Sequence, residues 1–187
     1  KGKSQARAAS NFLKNISIQK AFSSPLSRPR ETAQIILKEH PQIEICLKEN
    51  LKEISHGKWE GKLESEIMCD WPELLKKWKT VPEKVKMPEG ENINEVSIRS
   101  ITGWLEICKN LKDDETALVV AHDAVNKTIL CHLLGLTPAE IWMIKQGNGG
   151  ITVIDLSKKE GQPDQITCLN ITSHLGGIID STAAGAL

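Results

Sequence analysis

Three short stretches of this sequence hold ionisable groups where a following helix or a glycine-rich loop would put them to use. The first is Ser23-Ser24-Pro25-Leu26-Ser27-Arg28-Pro29-Arg30-Glu31-Thr32. Ser24 can cap a helix and Pro25 suits its first position, so spare backbone N–H groups, the helix dipole and Arg28 all favour an anion there. A planar guanidinium also grips phosphate through two parallel hydrogen bonds, which lysine cannot do. Taken alone, however, the stretch is better read as a capped surface helix with solvated arginines. The second is Leu118-Val119-Val120-Ala121-His122-Asp123-Ala124, where one histidine ends an apolar strand and opens a helix. Such a histidine can donate a hydrogen bond to a bound phosphate; a core histidine bonded to a backbone carbonyl is an equally good reading. The third is Leu51-Lys52-Glu53-Ile54-Ser55-His56-Gly57-Lys58-Trp59-Glu60-Gly61. A carboxyl among aromatic and glycine-rich surroundings can be desolvated, keep its proton and serve as a general acid. Glu53 and Glu60 as solvated loop charges is the competing view.

Other reactive side chains carry less. His132 sits among Leu130, Cys131, Leu133 and Leu134, which points to packing. No His, Cys or Asp pair has ligand spacing, and His122 and Asp123 cannot face one ion from adjacent helical positions, so no metal is expected. Five widely spaced cysteines, none in a Cys-x-x-Cys pair, argue against a disulfide framework and for reduced thiols of a cytoplasmic protein, as core residues or bystanders.

The elements that must position these groups alternate in period. Helical patterns at Gly2 to Lys14, from Pro25 to about Glu39, at Leu63 to Met68, Pro72 to Trp78, Asn94 to Leu111 and Asp123 to Leu134 alternate with apolar strands at Ile16 to Phe22, Ile43 to Leu47 and Thr116 to Ala121. That alternation predicts an α/β domain with a mainly parallel central sheet. Ile151 to Leu156 and Gln165 to Asn170 read as two late strands turning at Gly161-Gln162-Pro163, hairpin-like. Thr80 to Asn92, with Pro82, Pro88 and Gly90, reads as a long surface loop. The domain is expected over residues 1–175, with 176–187 as a flexible tail.

Composition narrows the class. The 187 residues balance 24 Lys+Arg against 24 Asp+Glu. This disfavours a polyanion-binding surface, and nucleic acid is not an expected partner. The longest apolar run, Ala117 to Ala121, falls far short of the roughly 20 residues that cross a bilayer, so no membrane association is expected.

Taken in order, the three stretches resemble the histidine phosphatase superfamily, also called the phosphoglycerate mutase-like family. Ser23-Ser24-Pro25-Leu26-Ser27-Arg28 with Glu31-Thr32-Ala33 resembles its Ser-x-Leu-x-Arg-Ala-x-x-Thr-Ala element. Leu51-x-Glu53-x-x-x-Gly57-x-Trp59-Glu60-Gly61 is similar to its acidic loop, and Val119-Val120-Ala121-His122 to its second catalytic histidine. Gly2-x-x-Gln5-Ala6 fits the helix before the arginine element, and Asn148 with Ile151 to Ile154 fits a late strand. The resemblance implies a three-layer α/β/α sandwich. It implies that Arg28 clamps a phosphoryl group, His122 binds and stabilises it, and Glu53 protonates the leaving oxygen, with no metal and no other cofactor. The implied partner is a small phosphorylated substrate.

The family's nucleophile is a different histidine, in an Arg-His-Gly motif after the first strand, and no Arg-His-Gly occurs here. The expectation is therefore that this chain starts inside the domain, without the first strand, the nucleophile and one phosphate-binding arginine, and is inactive as it stands. Pro29 replaces the family's usual alanine, and Asp123 and Ala124 stand where two glycines are common; Asp123 is expected to raise the pKa of His122 and to repel some anionic substrates. The short span between Glu53 and His122 and the Trp59-Glu60-Gly61 form of the loop resemble the phosphatase branch. The implied function is a phosphomonoester hydrolase working through phosphohistidine. The alternatives are a mutase, or a non-catalytic domain that binds phosphorylated ligands through Arg28 and His122.

Overall fold

The structure is a computed structural model, and it describes residues 1–157, 159 and 161–177. Helix α1 (Gly2–Leu13) leads into strand β1 (Lys20–Ser23), helix α2 (Ser27–Ile36) and strand β2 (Ile45–Leu47). Helices α3 (Glu64–Asp70), α4 (Pro72–Thr80) and α5 (Ile93–Lys109) follow, then strand β3 (Ala117–Val120) and helix α6 (Asp123–Leu133). Strands β4 (Ile151–Asp155) and β5 (Gln165–Ile171) close the chain.

β2, β1 and β3 form a parallel sheet in that order. The chain moves from β1 outward to β2, then back past β1 to β3. Because parallel crossovers are right-handed, opposite directions of travel put α2 and α5 on opposite faces. α1 packs on α2 and α6 on α5, giving the α/β/α layering the sequence implies. β4 and β5 pair antiparallel, as expected of the late hairpin. Among the described residues β3 is paired on one side only.

Burial explains each layer. α1 packs on α2, and Ala6 and Ala9 of α1 and Ala33 and Ile36 of α2 are buried. The larger core lies on the other face, where Trp59, Ile67, Leu75, Trp78, Val96, Ile107, Val125 and Ile129 are buried together. α5 begins with a capping box, Asn92 Oδ1 accepting from Glu95 N–H and Glu95 Oε2 from Asn92 N–H, each at 2.8 Å. Buried Ser100 and Thr128 share a 2.8 Å hydrogen bond that ties α5 to α6.

Several expectations need correction. The first strand is shorter than Ile16 to Phe22, because only from Lys20 do residues pair with β3. Thr80 to Asn92 is not a free surface loop: Pro82, Val85 and Met87 are buried, and Lys86 bridges Asn92. His132 is exposed rather than packed, because it faces away from the buried Thr128 to Cys131 side of α6. Of the cysteines only Cys131 is buried, Cys46, Cys69 and Cys168 are exposed, and none is in a disulfide. Most of the predicted tail lies outside the described residues.

Candidate active site

The register of the parallel sheet assembles the site. Ser23 lies opposite Val120, so the carboxyl ends of β1 and β3 finish at the same level. The residues just beyond, Ser24 and His122, then meet side by side: Ser24 Oγ lies 2.9 Å from His122 Nε2, and both residues are buried. Open parallel sheets bind ligands at this end.

Ser24 is therefore not the helix cap expected of it. α2 starts later, at Ser27, with Leu26 as the extended residue before it. Ser24 Oγ accepts from Leu26 N–H at 3.3 Å. Its own proton can be donated to His122 Nε2, and in that arrangement the ring proton of a neutral His122 lies on Nδ1.

His122 is the last extended residue before α6, with φ −126° and ψ 169°, and its carbonyl accepts the first helical bond from Asn126 N–H at 2.8 Å. Its side chain is only 4% exposed. Burial, with the positive fields of Arg28 and Arg99, pushes its pKa down to about 4. The expected upward push from Asp123 is overturned, because desolvation and two cations outweigh that carboxylate. His122 is neutral at physiological pH.

Glu53 faces the same histidine, with Oε2 3.8 Å from His122 Nδ1. This is too long for a hydrogen bond, and the pair is not a charged one. Burial raises the Glu53 pKa above the usual carboxylate range, helped by Asp123 and opposed by the Ile54 N–H, Arg28 and the Ala124 N–H. The Ile54 N–H donates to Glu53 Oε1 at 3.0 Å. Arg28, in the first turn of α2, is exposed, and its field reaches both Glu53 and His122. Of the three residues singled out from the sequence, Glu53 and His122 thus lie side by side, and Arg28 is near enough for its charge to act on both.

Sequence reasoning missed what holds the acid in place. Arg99 of α5 donates to the carbonyls of Asn50 (3.1 Å), Lys52 (2.6 Å) and Glu53 (3.1 Å), spanning the turn that carries the acid. The same guanidinium forms a two-pronged pair with Glu91, at 2.8 and 2.9 Å. Burial works against the Glu91 charge, but the bonds from Arg99 and the Ser55 N–H outweigh it and hold its pKa below the usual range. Residues 86–92 clamp the loop from outside, through Lys58 N–H to the Pro88 carbonyl (2.9 Å) and Glu91 N–H to the Ser55 carbonyl (2.8 Å). Gly57 has φ +54°, and a Cβ there would lie 2.1 Å from the Pro88 carbonyl oxygen, so this position of the loop must be glycine. Helical position 99 alone could not announce this, because nothing local in α5 distinguishes an arginine pointing at solvent from one pointing at a loop.

Among the described residues no cluster of His, Cys, Asp or Glu is arranged to hold a metal ion, and no helix is long and apolar enough to cross a membrane.

Comparison with known proteins decides the family. The histidine phosphatase superfamily (branch 1) matches residues 1–169. The chain belongs to the histidine phosphatase superfamily. It is 32% identical over 176 residues to phosphoserine phosphatase 1 of Hydrogenobacter thermophilus, covering 94% of this chain and 81% of that protein. It is 29% identical over 170 residues to a probable 2-carboxy-D-arabinitol-1-phosphatase of Arabidopsis thaliana, covering 91% of this chain but only 35% of that longer relative. Bacillus stearothermophilus YhfR has the same fold, with a TM-score of 0.85 at 24% identity over 92% of this chain and 84% of that one. Relatives of this superfamily member include phosphatases and phosphoglycerate mutases.

Proposed function

We propose that this chain is the greater part of a metal-independent, cytoplasmic phosphomonoesterase that transfers the phosphoryl group through a phosphohistidine. The observation that carries the proposal is the meeting of buried, neutral His122 with Glu53, whose pKa is raised by burial, beside the field of Arg28. Two relatives act, by their names, on phosphoserine and on 2-carboxy-D-arabinitol 1-phosphate, which supports a small phosphorylated metabolite as substrate.

In this reading Arg28 grips the phosphoryl oxygens. The His122 imidazole donates a hydrogen bond to the same group and stabilises its charge as the bond to the leaving oxygen lengthens. Glu53 delivers its proton to that oxygen and afterwards, as carboxylate, takes one from the water that releases phosphate. The nucleophile is a histidine that this chain does not contain, in an Arg-His-Gly segment ahead of Lys1. The edge of β3 that is unpaired among the described residues, its four residues all incompletely buried, supports a further strand beside it bringing that segment to His122. The chain by itself is then inactive.

The test is a phosphatase assay on the full-length protein. Glu53→Gln and His122→Ala are each expected to lower kcat/KM by about 10² to 10⁴. Retained activity in the double variant overturns the assigned roles. Absence of an upstream Arg-His-Gly favours a second reading, a phosphate-binding domain without turnover, in which phosphate still raises the melting temperature.

A further inference from the structure

The space beside Glu53 is nearly filled. Its walls include Glu53, His56, Trp78, Asp123, Lys127 and Trp142, and they leave about 10 Å³, room for no more than a single water. No substrate group enters there, so the charges on these walls act on the acid itself. Two of them are fixed to each other. Lys127, only 7% exposed on α6, pairs with Asp123 one helical turn earlier at 2.7 Å. Its Nζ also lies 4.9 Å from the centre of the Trp142 ring, which attracts a cation through its π face. The Trp142 indole N–H donates to the Trp78 carbonyl at 2.8 Å and holds that ring in place. A buried ammonium without a counter-charge is costly, so Lys127 holds Asp123 as a carboxylate against the cleft. Asp123 also opens α6, where the spare N–H groups of the helix start favour a negative charge.

The two carboxyls of the cleft therefore sit in different surroundings. Asp123 has a cation in contact with it and a helix start beneath it. Glu53 has no such contact: the nearest ring, His122 at the head of α6, is neutral at 3.8 Å, and Arg99 of α5 spends its bonds on backbone carbonyls and Glu91. His56 of the same loop and Lys127 of α6 line the cleft, and Arg28 of α2 acts from its exposed position. Burial is the largest influence on Glu53. The Ile54 N–H, Arg28 and the Ala124 N–H oppose it, and the Asp123 charge works in the same direction as burial. Where two carboxyls share a site, surroundings that push them apart give one the proton and the other the charge.

We propose that Asp123 is a positioning residue for the reaction: its charge, fixed by Lys127, biases the proton of the cleft toward Glu53. Glu53 then gives that proton to the leaving oxygen and, once ionised beside a second carboxylate, takes one back more readily from the water that releases phosphate. This deepens the phosphomonoesterase reading and rests on it.

The experiment follows kcat/KM of the full-length protein against pH on two esters. Glycerol 2-phosphate has an alkoxide leaving group that needs a proton, and p-nitrophenyl phosphate has one that needs little help. Asp123→Asn combined with Lys127→Met removes both charges of the pair and leaves neither buried alone. In this double variant kcat/KM for glycerol 2-phosphate is expected to fall about 10-fold at pH 7, a fraction of the roughly 10² to 10⁴ that a whole general acid supplies. The loss is expected to be recovered as pH is lowered, because the alkaline limb of the profile moves to lower pH with Glu53. The loss with p-nitrophenyl phosphate is expected to be smaller. Asp123→Asn alone leaves the Lys127 charge unopposed and is expected to move the limb further the same way; if that variant does not fold, the double variant decides. A loss equal for both esters and constant with pH marks a purely structural ion pair and overturns the proposal, as does a double variant whose limb stays in place or moves to higher pH. An NMR titration of the Glu53 carboxyl, identified by its absence from Glu53→Gln, reads the same shift without turnover. A Glu53 midpoint unmoved in the double variant overturns this inference alone, whereas a wild-type protein that hydrolyses neither ester overturns the phosphomonoesterase reading itself.

Discussion

The two sides of the site are built differently. The acid side is fastened at many points: Arg99 bonds the carbonyls of Asn50, Lys52 and Glu53, Glu91 braces Arg99, and residues 86–92 lie against the loop. The arginine side is nearly free, with exposed Arg28 carried in the first turn of α2 and anchored only through the helix that bears it. The difference follows from the two tasks. A carboxyl's pKa is raised by burial only where water is kept away, which calls for a loop held in place. A guanidinium is charged whatever its surroundings, so it works from solvent and is free to swing onto a ligand.

The largest test of this contrast is to cut each side in turn. Arg99→Met leaves the partly buried Glu91 carboxylate unpaired and three carbonyls without their donor, and it should cost about 3–5 kcal/mol in urea denaturation. Arg28→Ala should change stability by no more than about 0.5 kcal/mol, while raising KM for a phosphomonoester in the full-length enzyme. Equal stability losses would erase the distinction.

Titration sharpens it next. The His122 pKa is lowered in the fold from an ordinary 6.5 to about 4. The unfolded chain therefore binds a proton in that window that the folded one refuses. Stability is complete above pH 6.5 and falls as pH drops toward 4, by roughly 3 kcal/mol for a shift of that size. Glu53 has the opposite sign: its raised pKa favours the fold below the ordinary carboxylate value, and that contribution is lost as pH rises. In His122→Asn the acid-side decline should flatten, leaving a melting temperature that depends less on pH between 6.5 and 4.

A smaller effect separates two glycines of the acid loop. Gly57→Ala forces a left-handed residue and a backbone clash with Pro88, and it should cost about 2–3 kcal/mol. Gly61 has φ +75° with open space around it, so Gly61→Ala should cost only about 1 kcal/mol. Thermal denaturation of the two variants measures the gap.

Much of the fold was legible because its signals are local. The 3.6-residue period of α5, the apolar run of β3 and the turn before β5 each lie within one short window, and Gly135 at φ +69° ends α6 where expected. The site motifs were legible for the same reason: Arg28, Glu53 and His122 each sit at the end of a strand or in a loop of distinctive composition. What was misread needed partners distant in sequence. Ser24 has the residue type of a cap, yet a histidine 98 positions away takes its hydroxyl. Thr80 to Asn92 has the proline and glycine of a free loop, yet its apolar residues fill the core and Gly90 packs against Ser55. Asp123 is adjacent to His122 in sequence, but the field at the imidazole is decided by burial and by arginines from α2 and α5.

By itself the sequence determined which residue types stand at the ends of which strands, and thereby the family and the chemistry those residues can perform. Only the tertiary structure decided their protonation, because pKa depends on water excluded and charges gathered from segments far apart in the chain. The same holds for Arg99, which is an ordinary helical cation by spacing and becomes a brace only when packing draws it toward the acid loop and supplies the groups it faces.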